Sequence, residues 1–481
     1  MVKRCIEIGA LALVSLTKLA LGQTTDDFQI ALTGDANLHQ RLSIYDDPAY
    51  VQLYQHIRKA DAASTNLETL IHPLDQYGQA VSGGAWQSSP PWQADELKWA
   101  GFNLISVANN HVFDFGVDGL RSTIQVLDAI GLVHAGAGEN LAFARAPAYL
   151  DTRHGRVALI GSASTFTPGG LAGEQRPDLR GRPGLSPLRF STTYTVDKDT
   201  FSSLRKVAEL SSGRNLYGGA PNDPAGKSAP TTLTFGGSQY KVGNGTGVHT
   251  EPNKDDLAGI LASVRAARNY ADWVVVTIHA HESQKGDREI PAEFVVAFAH
   301  AAVDAGADVF FVHGPHIVRG IEIYKGRPIF YSLGNYAFDP ALIPFQPAEG
   351  YTRQHLPTGA SIADYAVATA ESDPQSYGGD KQNWETAVAE VTFTGDHKLK
   401  EIILEPLSLG YGKPRSRRGL PWPADPALAQ SIVSDIGRLS NAYGTKVEFV
   451  GGRGVVNFDH ASGGEQVTIE NKFLQAQGES F

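Results

Sequence analysis

Five apolar runs in this chain end abruptly in side chains that bind metals or transfer protons. They occupy residues 30–35, 103–111, 275–282, 309–316 and 330–335. Helical patterns separate several of them, as in residues 117–130, where apolar residues recur every three or four positions. Alternating strands and helices are typical of an α/β architecture. Because open α/β folds place ligands at the carboxyl edge of the sheet, the pattern predicts a polar site at that edge.

The length of 481 residues allows two or three average domains, or one large domain with insertions. Residues 165–252 are rich in Gly, Pro, Ser and Thr, which predicts an insertion with one helix near residues 201–210. Residues 340–386 show little periodicity and are expected to form a loop. We therefore predict a main domain at 23–412 and an extension at 413–481 that packs on the core.

The amino-terminal residues resemble a signal peptide. Lys3 and Arg4 precede an apolar run at 8–14, and small residues follow at 20–22. This pattern predicts a signal peptide at 1–22 and a secreted or cell-surface protein. An intracellular protein with an uncleaved hydrophobic start is the alternative. The only cysteine is Cys5, so a chain cleaved after residue 22 has neither thiol catalysis nor disulfides.

The formal net charge is −10, which argues against nonspecific nucleic-acid binding, since that requires a basic surface. We therefore expect no nucleic-acid partner. Beyond the amino-terminal segment, no run of 18 apolar residues indicates a membrane span.

The polar ends of the runs combine acids, amides and imidazoles. Read singly, each has an ordinary explanation: an Asp after a strand often caps a helix or forms a turn, and Glu282 can be solvated. We interpret Asp114, two residues before Gly116, as a turn-forming residue. Together the residues predict a metal or polar active site suited to Mn, Fe or Zn, whereas oxygen-only ligation would favour Mg or Ca. The set is Asp35, Glu68, Asn110, His111, His279, His281, His313, His316 and Asn335.

Several collinear motifs carry a family resemblance. They are Gly34-Asp35, Asn66-Leu67-Glu68, Asn109-Asn110-His111 with Asp114-Phe115-Gly116, Gly314-Pro315-His316 and Tyr331-Ser332-Leu333-Gly334-Asn335. From about Phe28 to Asp339 the chain resembles the CapA-type poly-γ-glutamate capsule biosynthesis proteins, within the calcineurin-like metallophosphoesterase superfamily.

The resemblance implies a sandwich of two mixed β-sheets flanked by helices, with loop insertions and a site for two divalent metal ions at the strand ends. Residue by residue, it implies that Asp35 binds the first metal and that Glu68 occupies the position of the superfamily's Asp that bridges the two metals. It implies that Asn110 binds the second metal and that His111 is the acid that protonates a leaving group. His279 and His316 complete the implied ligands.

Three motifs depart from the family pattern. Asp35-Ala36-Asn37 stands where the superfamily has Asp-x-His. His279-Ala280-His281-Glu282 replaces His-Trp-Gly-x-Glu, which leaves the roles of His281 and Glu282 open. Val312-His313-Gly314-Pro315-His316 stands where the family has Gly-x-His-Pro-His, so only His316 corresponds cleanly to a family residue. His313 is therefore a secondary candidate for the site, as is Asn335.

Two functions follow from the resemblance. One is a secreted metal-dependent hydrolase acting on an anionic polymer, or on a small phosphoester or γ-glutamyl compound. The other is a noncatalytic accessory or polymer-binding protein that supports polyglutamate synthesis or export with a polymer synthase as partner. Whether the protein is an enzyme stays open at this point.

Overall fold

The computed structural model describes residues 27–211, 231–372 and 379–458. The predicted signal peptide at 1–22 lies outside the described residues, as do parts of the predicted insertion and of the predicted loop. Within the described ranges, no helix is long and apolar enough to cross a membrane.

A ten-stranded mixed sheet, the large sheet, has the Phe28–Ala36 strand near its centre. On one side, successive parallel strands are Ala62–Leu67, Leu104–Ser106 and Val133–Ala135. On the other, successive antiparallel strands are Glu385–Phe393, Leu399–Ser408, Arg453–Asn457 and Lys446–Val450. Two short strands, Asn335–Ala337 and Trp422–Pro423, pair with Phe28–Ala36 and Leu399–Ser408.

A six-stranded mixed sheet, the small sheet, packs against the large sheet. Its strand order is Ile321–Tyr324, Arg327–Phe330, Val309–His313, Trp273–His279, Gly155–Ala163 and Ala148–Thr152. The four inner strands are parallel and the two outer strands are antiparallel to their neighbours. The inner strands are nearly continuous apolar runs because both of their faces are buried.

Apolar side chains of the two sheets form one core between them. Phe28 of the large sheet stacks on Trp273 of the small sheet, with ring centroids 4.3 Å apart. Helices cover the outer faces: Pro48–Lys59, Trp92–Ala100 and Gly116–Ile130 on the large sheet, and Lys254–Arg268 and Glu293–Asp304 on the small sheet. The protein is therefore a mixed α/β structure of several mixed sheets flanked by helices.

Helix boundaries follow local capping chemistry. Asp47 accepts hydrogen bonds from the first turn of Pro48–Lys59, and Asp425 does the same for Pro426–Ser440. The remaining α-helices of the described residues are Leu141–Arg145, Lys198–Leu210, Ala348–Arg353 and Ile362–Ser372.

Two secondary-structure expectations were incomplete or wrong. The segment predicted as an insertion with one helix also contains a four-stranded sheet made of Phe190–Val196, Thr232–Phe235, Ser238–Val242 and Gly247–Pro252. Its strands are only partly buried and rich in Thr and other polar residues, so they lack a strong apolar pattern. The segment 340–386, predicted as a loop, contains the two short helices Ala348–Arg353 and Ile362–Ser372.

The chain passes from the small sheet to the large sheet between Phe330 and Asn335. Gly334, with φ of +80°, makes the turn, and its carbonyl accepts a hydrogen bond from the Asp35 N–H at 3.2 Å. A Cβ added to Gly34 would lie 1.6 Å from this carbonyl oxygen. Glycine at 34 therefore allows the two backbones to meet beside Asp35.

We expect Gly34→Ala to lower the free energy of unfolding by more than about 3 kcal/mol, because neither backbone segment can yield without shifting a buried strand. Denaturant unfolding would measure the loss. Gly359→Ala is the matched control, since a Cβ there meets nothing within 4 Å. Equal stability of the two variants would contradict this account of the crossing.

Candidate metal centre

Strand register brings the predicted site residues together. Asp35 is aligned with Asn66 on one neighbouring strand and with Asn335 on the other. In the small sheet, His279 is aligned with His313. Glu68 directly follows the Ala62–Leu67 strand. The polar ends of the two sheets therefore converge at one edge, as the sequence pattern predicted.

A direct hydrogen bond joins the two sheets at this edge. The Gly314 N–H donates to Asp35 Oδ2 at 2.9 Å, and His316 Nδ1 lies 3.4 Å from the same oxygen. His316 has φ of +60°, a left-handed backbone that is uncommon for a residue with a side chain. The Gly314-Pro315-His316 turn thus places His316 beside Asp35.

Two buried carboxylates and four imidazoles form the centre. His279 Nε2 lies 3.4 Å from Glu68 Oε1, and His316 Nε2 lies 3.6 Å from the same oxygen. His279 also lies 2.9 Å from His281 through its Nε2, and 2.9 Å from His313 through its Nδ1. Among the described residues, three groups have ligand atoms close enough to hold a cation: Asp35–His279–His313, Glu68–His279–His281 and Asp35–Glu68–His316.

Burial shapes the protonation of the two carboxyl groups. It raises the pKa of Asp35 to about 7, although hydrogen bonds from Asn66 and Gly314 oppose the rise. It also raises the pKa of Glu68 well above its usual range, and the neighbouring Asp35 charge adds to this effect. Two such groups side by side are stabilised in their charged form by a cation.

The pKa values of the four imidazoles shift in the opposite direction. Burial lowers the pKa of His316 to about 3, and it holds the pKa values of His279, His281 and His313 well below the usual range. All four rings are therefore neutral near pH 7, the form in which histidine binds metals.

His111 lies beside this centre and is held by Asp114. The His111 Nδ1 to Asp114 Oδ2 distance is 2.6 Å. Asp114 is fully buried and also accepts hydrogen bonds from the backbone N–H groups of Gly83 and Gln87. The sequence interpretation of Asp114 as a turn residue missed its contact with the imidazole.

The other predicted candidates occupy distinct positions. Asn110 donates from Nδ2 to the Gly83 carbonyl at 2.8 Å, while its buried Oδ1 accepts no hydrogen bond within the described part of the chain. Asn335 Oδ1 lies 2.7 Å from His316 Nδ1 and orients that ring. Glu282 accepts hydrogen bonds from the hydroxyls of Ser164 and Thr165 at 2.7 and 3.0 Å.

Several residues outside the predicted ligand set organise the centre. Asn66 donates to Asp35 Oδ1 at 2.7 Å, and Asn37 donates to Glu68 Oε2 at 2.9 Å. Thr165 accepts a hydrogen bond from the His281 N–H. Ser164 and Thr165 directly follow the Gly155–Ala163 strand. This sixth polar strand end is the sequence feature from which their place at the site could have been predicted.

The donor set fits a divalent cation. Glu68 Oε1 is buried and accepts no hydrogen bond from the residues that the structure describes, yet two imidazole Nε2 atoms lie within 3.6 Å of it. Mixed carboxylate and imidazole ligation suits Mn, Fe or Zn.

These features define a mixed α/β protein with a buried carboxylate–imidazole centre where its two main sheets meet. Residues 29–340 match the family model described as bacterial capsule synthesis protein PGA_cap. The chain belongs to this CapA-type family.

Relatives match over different shares of the chain. An uncharacterized protein, y4sH, of Sinorhizobium fredii is 36% identical over 88% of this chain and 91% of its own length. The capsule biosynthesis protein CapA of Bacillus anthracis is 26% identical over 61% of this chain and 54% of its own length. A probable polyglutamine synthesis accessory protein of Mycobacterium tuberculosis is 28% identical over 49% of this chain and 45% of its own length.

Metal affinity is expected to fall as the pH falls through about 7. The pKa of Asp35 is raised to about 7, so below that pH a proton competes with the cation, whereas the imidazoles with lowered pKa stay neutral. For each competing proton, the Kd for Zn or Mn should rise by up to about tenfold per pH unit. Titration calorimetry at pH 6, 7 and 8 would measure this.

Asp35→Asn is the control, because it removes the titrating group at position 35. We expect this variant to bind more weakly and with a flatter pH dependence. A wild-type Kd that is constant or that improves toward pH 6 would contradict this account of the protonation of the centre.

Proposed function

We propose that this protein is a metal-dependent hydrolase of phosphoester or γ-glutamyl bonds that acts in capsule-type polyglutamate metabolism. The observation that carries the proposal is the convergence of Asp35, Glu68 and four imidazoles beside the His111–Asp114 pair. The two facing sheets also support a calcineurin-like sandwich.

The proposed cation ligands come from both sheets. Asp35, Glu68, His279 and His316 would hold the metal, and the buried Oδ1 of Asn110, which accepts no hydrogen bond from the described residues, would be a further ligand atom. A divalent cation in this position supplies Lewis acidity that polarises a phosphoryl or acyl oxygen.

His111 is the proposed general acid. Asp114 accepts a hydrogen bond from Nδ1 of the ring and fixes the orientation of the imidazole, so that a proton on Nε2 can pass to the leaving oxygen or nitrogen. His111 is close enough that its charge lowers the pKa of Asp35 and of His316. The acid and the carboxylates therefore share one electrostatic environment.

The names of two relatives support the proposed substrate class. Two relatives carry names that refer to capsule biosynthesis and polyglutamine synthesis, and we propose that this chain acts in the same process, on an anionic polymer or its γ-glutamyl or phosphoester fragments. The name of the mycobacterial relative also motivates a polymer synthase as partner.

We expect His111→Asn to lower kcat by about 10²–10⁴-fold, the usual contribution of a general acid. Asp114→Asn should lower kcat by at least about tenfold but less than His111→Asn, because the ring remains while its orientation is lost. Hydrolysis of an activated phosphodiester and of γ-glutamyl oligomers with added Mn or Zn would measure both.

Asp118→Asn is the matched control, since Asp118 is exposed in the following helix. Unchanged turnover in all three variants would refute the assignment of the acid. A wild-type protein that binds metal and polymer but hydrolyses neither substrate class would support the noncatalytic alternative.

A further inference from the structure

One imidazole, His279, lies between two groups that are each able to hold a cation. Its Nδ1 faces His313 Nδ1 and its Nε2 faces His281 Nε2, both at 2.9 Å. A neutral imidazole has one lone pair, on one nitrogen only. His279 can therefore bind a cation together with His313 or together with His281, but not with both.

An amide donor occupies the His313 side. Asn66 Nδ2 lies 2.7 Å from Asp35 Oδ1 and 3.4 Å from His279 Nδ1. Its orientation is set independently, because Asn66 Oδ1 accepts a hydrogen bond from Asn109 Nδ2 at 3.2 Å. A cation among Asp35 Oδ1, His279 Nδ1 and His313 Nδ1 would have to displace the Asn66 N–H that Asp35 Oδ1 accepts at 2.7 Å.

The His281 side offers acceptors instead. His279 Nε2 lies 3.4 Å from Glu68 Oε1, a buried oxygen that no donor of the described residues satisfies. Two nitrogens that bind one cation at about 2.1 Å lie about 3 Å apart when they are at right angles. Both histidine pairs have this spacing, so the unsatisfied Glu68 oxygen is what favours the His281 side. The backbone of His281 is anchored by its N–H bond to Thr165 Oγ1 at 2.9 Å.

We infer that His281 is a metal ligand together with Glu68 and His279, and that His313 is a positioning residue. In this arrangement His279 Nδ1 donates to His313 Nδ1, which directs the lone pair of His279 Nε2 toward Glu68 and the cation. This inference rests on the proposed metal-dependent function.

A paired cysteine substitution tests the assignment. In His281→Cys loaded with Co²⁺, a thiolate bound to the ion should add a near-ultraviolet charge-transfer band. His313→Cys should bind Co²⁺ without this band. The wild-type protein, whose only cysteine is Cys5, provides the baseline. A band in His313→Cys, or no band in His281→Cys that has bound cobalt, would overturn the inference.

Affinity gives a second readout. We expect His281→Ala to raise the Kd for Zn²⁺ by more than about 100-fold, and His313→Ala to raise it by no more than that, as for residues that orient a ligand. His313→Asn should restore the Kd to within about tenfold of the wild type, because its carbonyl oxygen can accept from His279 Nδ1. Failure of this rescue would count against a positioning role.

If either pair of variants does not fold, anomalous diffraction from crystals of the zinc-loaded wild-type protein decides the question. An ion bonded to His281 Nε2 supports the inference, and an ion bonded to His313 overturns it. The proposed function fails separately: a protein that binds metal through His281 but hydrolyses nothing retains this ligand assignment and loses the enzymatic role.

Discussion

The placement of Asp35 and Glu68 in one buried, water-poor position is the constraint on which the rest of the site depends. Burial raises the pKa of both carboxyl groups, and the charge of Asp35 raises that of Glu68 further, so the two are stable together only with protons, hydrogen-bond donors or a cation. Asn66 and Asn37 each satisfy one carboxylate oxygen, while Glu68 Oε1 accepts no hydrogen bond within the described ranges. The neutral imidazoles around that oxygen are suited to hold a cation.

The scaffold meets this constraint by bringing two sheets together at one edge. Asp35 belongs to the large sheet and His279 to the small sheet, and the core between the sheets fixes their separation. The Gly34–Gly334 contact lets the chain cross between the sheets at the site itself. The stability of the fold and the geometry of the site therefore both depend on the close contact between the backbones at Gly34 and Gly334.

Much of the fold could be predicted because buried strands and amphipathic helices leave strong periodic patterns. The helical pattern at residues 117–130, for example, corresponds to the observed helix Gly116–Ile130. The sheet of the insertion was missed, because strands such as Phe190–Val196 are partly exposed and bury too little apolar surface to show a pattern. The convergence of the polar strand ends could be predicted because parallel strands share one carboxyl edge.

The sequence by itself determined the family, the alternation of strands and helices, and which residue types end the strands, since these depend on local pattern and motif order. Only the tertiary structure decided which of these side chains contact one another. Asp114 contacts His111, although the sequence suggested only a turn. Which of His281 and His313 can share a cation with His279 depends on where Asn66 directs its amide, and that orientation comes from strands far apart in the chain.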